Sequence, residues 1–206
     1  MGMFTRLVVL TAALLSSSAM LASSAGAVIW HNTGDTAFTA LGGVGTLSST
    51  STPLICTGTG TATGTVAATP AGVSTWSMAS GTITLSMCTV SGQSVGVDCG
   101  YTLTATSQSG TVTNGTFDAT CGVYLANIKI CHISGTDSFA YTNPVAPSTF
   151  GKIQLGTGGT LRVSNGASNC PMGNGDLGHL SPLTFIISSA TGGPTPHLGP
   201  VITRTA

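Results

Sequence analysis

Glutamate is missing altogether from this 206-residue chain, and charged residues of every kind make up only 5% of it. Ordinary globular proteins carry about 25%. The scarcity of Lys and Arg excludes nucleic acid as a partner, because phosphate contacts need clustered cations to displace counterions. A polybasic membrane footprint is excluded for the same reason. With Glu absent and Lys, Arg and Gln scarce, the residues that favour helices are nearly missing, and no window carries a helical apolar stripe. Aromatics are 5%, so large buried side chains are few. No Cys-x-x-Cys spacing occurs, and the adjacent Cys131-His132 is a poor chelating pair, so no metal site is expected. No cofactor-binding motif appears either.

The N-terminus is organised as an export signal. Arg6 supplies a short basic region, Leu7 to Leu15 an apolar run, and Ala25-Gly26-Ala27 a small-residue cleavage site. The run is shorter than the roughly 20 residues that a spanning helix needs. Residues 1–27 are therefore read as a signal peptide, and 28–206 as a single domain of 206 − 27 = 179 residues. No later segment reads as transmembrane. The mature chain has Lys129, Lys152, Arg162 and Arg204 against Asp35, Asp98, Asp118, Asp137 and Asp176, a net charge of 4 − 5 = −1.

All six cysteines, Cys56, Cys88, Cys99, Cys121, Cys131 and Cys170, fall after the leader. An even count in an exported chain reads as three disulfides, with 15 pairings open. Period-two alternation runs through Gly81–Cys88, Tyr101–Thr106 and Thr111–Cys121, with Ser107–Gly110 as a hairpin loop. Val123–Ile133 reads as a strand pair or one long strand. Further strands are expected at 152–155, 160–163, 183–188 and 201–203, with loops at 164–182 and 190–200. Many short strands and turn signals predict an all-β domain, a β-sandwich or a barrel, stapled by disulfides.

Catalytic motifs are weak. Gly92-Gln-Ser94-Val-Gly96 matches the nucleophile elbow of serine hydrolases, with Asp118, Asp137 or Asp176 and His179 or His197 as triad partners. That motif needs a strand–turn–helix setting, and here it lies in strand-like sequence. Gly58 to Gly64 looks like a phosphate loop but lacks the dinucleotide glycine spacing and a following helix. The pairs Asp176/His179 and Asp137/His132 read as polar contacts rather than an acid–base couple. The expectation is a protein that is not an enzyme.

The most informative segment is Cys56 to Thr65. In an extended strand Thr57, Thr59, Thr61, Thr63 and Thr65 line one face, with only Gly and Ala opposite. Thr82, Thr84, Thr102, Thr104 and Thr106 extend this uncharged hydroxyl-and-methyl surface. Such a face suits contact with a polymer, a hydrophobic surface or a second copy, although threonine is also an ordinary outward strand residue. An alternative is a binding module for carbohydrate or a small apolar ligand, with Trp30, Trp76 or Tyr124 as stacking platforms.

Several phrases carry a family likeness: Thr36-Ala-Phe-Thr-Ala-Leu-Gly-Gly-Val-Gly-Thr-Leu47, Ile55-Cys56-Thr57, Thr63-Gly-Thr-Val66, Met87-Cys88-Thr-Val90 and Tyr101-Thr-Leu-Thr104. In these the chain resembles exported bacterial proteins of the group named "protein activator of alkane oxidation" (PraA/PraB-like) and related actinobacterial secreted proteins. The resemblance implies an exported β-rich protein of the cell surface or biofilm matrix, with no catalytic residues to carry over. Cys99 and Cys131 look additional to that group's cysteines, which implies the pairing Cys56–Cys88, Cys99–Cys131 and Cys121–Cys170. The functional expectation is a secreted or cell-surface adhesive protein whose partners are itself, a cell-wall or matrix polymer, or a hydrophobic surface.

Overall fold

The computed structural model describes residues 28–48, 51–145, 150–156, 160–164, 170–173, 175 and 177–205. Residues 1–27, expected to be a signal peptide, together with Asp176 and parts of the loop at 164–182, lie outside the described residues. Among the described residues every element is a strand: β1 (Ile29–Asn32), β2 (Ala37–Gly42), β3 (Gly45–Ser48), β4 (Leu54–Cys56), β5 (Gly60–Val66), β6 (Trp76–Val90) and β7 (Gln93–Ser109) come first. They are followed by β8 (Val112–Leu125), β9 (Ile128–Thr142), β10 (Lys152–Leu155), β11 (Thr160–Ser164), β12 (Leu177–Leu180), β13 (Leu183–Thr191) and β14 (Ile202–Thr205).

The pairing closes into a barrel. β2 and β3 are two halves of one broken strand, and so are β4 and β5, β10 and β11, and β12 and β13, since both halves of each meet the same neighbours. Taken this way, each strand pairs antiparallel with the next along the chain, and β12–β13 returns to pair with β2–β3. The result is an eight-stranded closed barrel of up-and-down order, which resolves the sandwich-or-barrel alternative. Four long, unbroken strands, β6 to β9, form one wall, and the four broken strands form the other.

Local chemistry explains the hairpins. Ser91 and Gly92 (φ 50° and 76°) join β6 to β7, and Ala126 and Asn127 (φ 49° and 66°) join β8 to β9. Two consecutive positive φ values mark the two-residue type I′ turn whose twist matches the strands it connects. β7 continues through Ser109 and turns at Gly110, so the expected Ser107–Gly110 loop is strand for most of its length. Val123–Ile133 is a strand pair. The loop expected at 164–182 contains the short strand β12, and the final strand, expected at 201–203, runs from Ile202 to Thr205.

Alternate residues point inward and fill the barrel: Phe38, Ile83, Val97, Leu103, Phe117, Ile133, Phe139, Ile153, Phe185 and Ile187 are all at most 6% exposed. One end is closed by the β1–β14 pair. There Trp30 meets Trp76 with ring centroids 6.2 Å apart, and the Arg204 guanidinium lies 5.5 Å from the Trp30 ring centroid. Asn143 grips Ile202 twice, its Nδ2 donating to the Ile202 carbonyl (2.6 Å) and its Oδ1 accepting from the Ile202 amide (2.8 Å).

Three disulfides staple the wall: Cys56–Cys88, Cys99–Cys121 and Cys131–Cys170. The first is as expected; the pairs Cys99–Cys131 and Cys121–Cys170 are not formed. Cys99 and Cys121 are direct cross-strand partners, as are Cys56 and Cys88, and each pair points into the barrel. Cys131 opposes Val123, leaving it to reach the β11–β12 connection instead. Disulfides of this number belong to an oxidising compartment.

Candidate functional surface

The threonines of the informative segment stand on the outside of the barrel. Thr57, Thr59, Thr63 and Thr65 are exposed and Thr61 half-buried, while Gly58, Gly60 and Ala62 between them are buried. Glycine is needed on the inner side where space runs out: a Cβ on Gly60 would lie 2.8 Å from a Leu85 methyl.

Cross-strand register aligns Thr61, Thr63 and Thr65 with others. One row runs Thr39, Thr63, Thr82, Gly100, Thr120 and Ser134 across β2, β5, β6, β7, β8 and β9. A second runs Ala37, Thr65, Ser80, Thr102, Asp118 and Thr136, and a third Leu41, Thr61, Thr84, Asp98, Gly122 and His132, across the same strands. Neighbouring strands are about 4.8 Å apart, and same-face residues along a strand about 6.7 Å, so the threonine and serine hydroxyls of these rows form an array interrupted by Ala37, Leu41, Asp98, Gly100, Asp118, Gly122 and His132. Thr63 and Thr82 share a hydrogen bond of 2.9 Å between their hydroxyls. Thr84 donates to Asp98 (2.9 Å) and Thr136 to Asp118, so both carboxylates of these rows are held by threonines of the adjacent strand. With apolar side chains inward and hydroxyls outward, the alternation is opposite to that of a lipid-embedded barrel, whose outer band is apolar. Among the described residues no helix is long and apolar enough to cross a membrane.

The interior offers little room. Its cavity, lined by Leu47, Leu54, Ile83, Phe117 and three of the disulfide cysteines among others, is about 40 Å³. Small-molecule pockets are roughly 300–1,000 Å³.

Of the three expected stacking platforms, Trp30 and Trp76 are 0% and 3% exposed, packed on each other in the core. They present no ring to a ligand, because the β1–β14 pair covers them. Tyr124 is on the outer wall. Its ring folds back over Gly122, where an added Cβ would come within 2.6 Å of the ring edge.

The hydrolase residues are scattered. Ser94 is exposed on β7, opposite Thr89, just past the hairpin. Gly92 supplies the second positive φ of that turn, so the motif begins in a β-hairpin rather than at an elbow into a helix. Asp137 is buried, its Oδ1 accepting from the Ser138 amide (2.6 Å), whereas His132 belongs to an outer row. The two lie on opposite faces of β9. The side chains of Asp176 and His179 lie outside the described residues. His197 instead meets Asp35, Nδ1 to Oδ1 at 2.6 Å, a pairing across 162 residues that no local pattern announces. Asp35 is 1% exposed, and its other oxygen accepts from the Gly199 amide (3.1 Å). Among the described residues no cluster of three metal-ligating side chains occurs.

Burial raises two phenols well above their ordinary range. Tyr101 donates to the Thr63 carbonyl (3.1 Å) from inside the wall, and Tyr141 donates to the Pro200 carbonyl (2.6 Å), with the Asp35 charge adding to the rise at Tyr141. Each ties an inner side chain to backbone that the barrel must hold still.

No protein-family model, curated protein or solved structure matches the chain.

Proposed function

We propose that the protein acts outside the cell by surface contact, using the threonine-bearing outer wall of the barrel to adhere to an extracellular polymer, a hydrophobic surface or further copies of itself. The observation that carries this reading is the register of hydroxyl-and-methyl side chains across six adjacent strands. Closure supports it too. A closed barrel removes the strand edges through which β-proteins usually associate, leaving side-chain faces as the means of contact. Low charge weakens the repulsion that keeps molecules apart. The export signal, the disulfides and the resemblance to exported envelope and biofilm proteins agree with a secreted or cell-surface location. An enclosed apolar-ligand site gains no support, because the interior cavity is only about 40 Å³.

The test uses mature protein, residues 28–206, mixed with hydrocarbon droplets, insoluble polysaccharide and cell-wall particles, with sedimentation as the measure of self-association. Depletion from solution by at least one surface, or concentration-dependent assembly, is the expected result. The variant Thr57→Lys/Thr63→Lys/Thr65→Lys places three cations on the wall and should lose self-association and adhesion to hydrocarbon. A strictly monomeric protein that ignores every surface, or a triple variant that behaves as wild type, refutes the proposal.

A further inference from the structure

Three glycines occupy outward positions on the neighbouring strands β7 and β8: Gly96 and Gly100 on one, Gly122 on the other. Glycine in a strand interior is less favourable than alanine, and it often marks close approach by something else. Gly122 has a packing reason, since the Tyr124 ring lies over it. Gly96 and Gly100 have none. A Cβ added to either meets no atom within 4 Å, and neither has the positive φ that favours glycine. Gly100 and Gly96 each line a shallow, open concavity of the outer wall, of about 390 and 470 Å³ respectively, and the two share Asp98 and Tyr124. Thr82, Thr84, Thr120 and Lys129 border one of them; Ser94 and Asn127 border the other.

We infer that this double groove binds a neutral, linear saccharide chain, with one sugar ring stacked on Tyr124 and its neighbours lying over Gly96 and Gly100. A pyranose has a CH face that packs on an aromatic ring and a hydroxyl rim that needs both donors and acceptors. Asp98 supplies acceptors, Lys129 supplies donors, and the threonine and serine hydroxyls supply both. Asp98 and Lys129 together carry no net charge, which favours a neutral chain over an acidic or basic one. Open space on both sides of the ring calls for an occupant longer than one sugar. Shelter of Gly122 by Tyr124 accounts for the ring's posture alone; it leaves the other two glycines without a reason.

This assignment rests on the proposed function only in taking the outer wall as the working surface. Its test is an NMR titration of mature protein with neutral linear hexasaccharides, β-1,4- and α-1,4-linked. The amides of Gly96, Gly100 and Gly122 should shift with at least one of them. Tyr124→Ala should weaken binding at least tenfold, Tyr124→Phe by no more than about threefold, and Gly100→Val, which fills the groove, should abolish it. The Thr57→Lys/Thr63→Lys/Thr65→Lys variant should still bind the hexasaccharide, which separates failure of the threonine contact from failure of the groove. Absence of shifts at these amides with every hexasaccharide, binding that survives both Tyr124→Ala and Gly100→Val, or binding only to a charged polymer overturns the inference.

Discussion

Replacing Asp35 by alanine tests how the barrel's closed end is held. The carboxylate is 1% exposed and accepts two hydrogen bonds, from the Gly199 amide at 3.1 Å and, on its other oxygen, at 2.6 Å from His197. Removing it leaves a buried amide without an acceptor, at about 1–3 kcal/mol. His197 is 41% exposed, so its share is screened by solvent and counts for about 1 kcal/mol or less. The loss is thus about 3 kcal/mol and belongs mainly to Gly199. For a chain of this size each kcal/mol moves the melting temperature by about 2–4 °C. Thermal unfolding of Asp35→Ala should therefore begin about 6–12 °C early, and His197→Ala less than about 4 °C early. Asp35→Asn, which keeps an oxygen for the Gly199 amide, should fall between. A shift below about 2 °C for Asp35→Ala, or equal shifts for Asp35→Ala and His197→Ala, would show that the carboxylate does not hold this end.

Two further outcomes follow from the same packing. Tyr101 and Tyr141 keep their protons in the fold beyond the ordinary phenol value of 10.0, so the stability they confer is complete below that pH and is lost as pH rises above it. Two protons held by the folded chain and released by the unfolded one give a decline that approaches about 3 kcal/mol per pH unit well above pH 10, measured by denaturant titration; a flat profile from pH 10 to 11.5 contradicts this. Peptide mapping of oxidised protein should recover Cys99 linked to Cys121, and replacing both by alanine should destabilise by about 3 kcal/mol through the 22-residue separation they close; a Cys99–Cys131 peptide refutes the register of β7 and β8.

Much of the fold could be read from alternation, because period two reports which side faces the core whatever the partner strand is. Thr57 to Thr65 lie on the outer face for that reason, with Gly and Ala inward. Partner choice is a different matter. That β12–β13 closes on β2–β3, or that Asp35 finds His197, depends on contacts between distant segments, which leave no local trace. Disulfide pairing fails on the same ground: Cys99 opposes Cys121 because the β7–β8 hairpin turns at Gly110, and placing that turn wrongly would shift the partner. Trp30 and Trp76 looked equal to Tyr124 as platforms. Yet Trp76 shares its parity with the apolar Met78, which was a signal of inward facing. For the groove, the readable signal was glycine at outward parity, Gly96 and Gly100 on either side of Asp98. It acquires meaning only once the packing shows that those glycines have no structural need.

The working surface can be located through one side chain. Met87 is 71% exposed on the outer wall, where its carbonyl accepts a hydrogen bond from the Thr57 hydroxyl (3.4 Å), whereas Met78 and Met172 are 3% and 0% exposed. Peroxide should therefore oxidise Met87 first in free mature protein. Protein adsorbed to whichever surface depletes it from solution should show Met87 oxidation slowed several-fold relative to free protein. Equal rates for the free and adsorbed forms would mean that contact is made elsewhere, and would contradict the account.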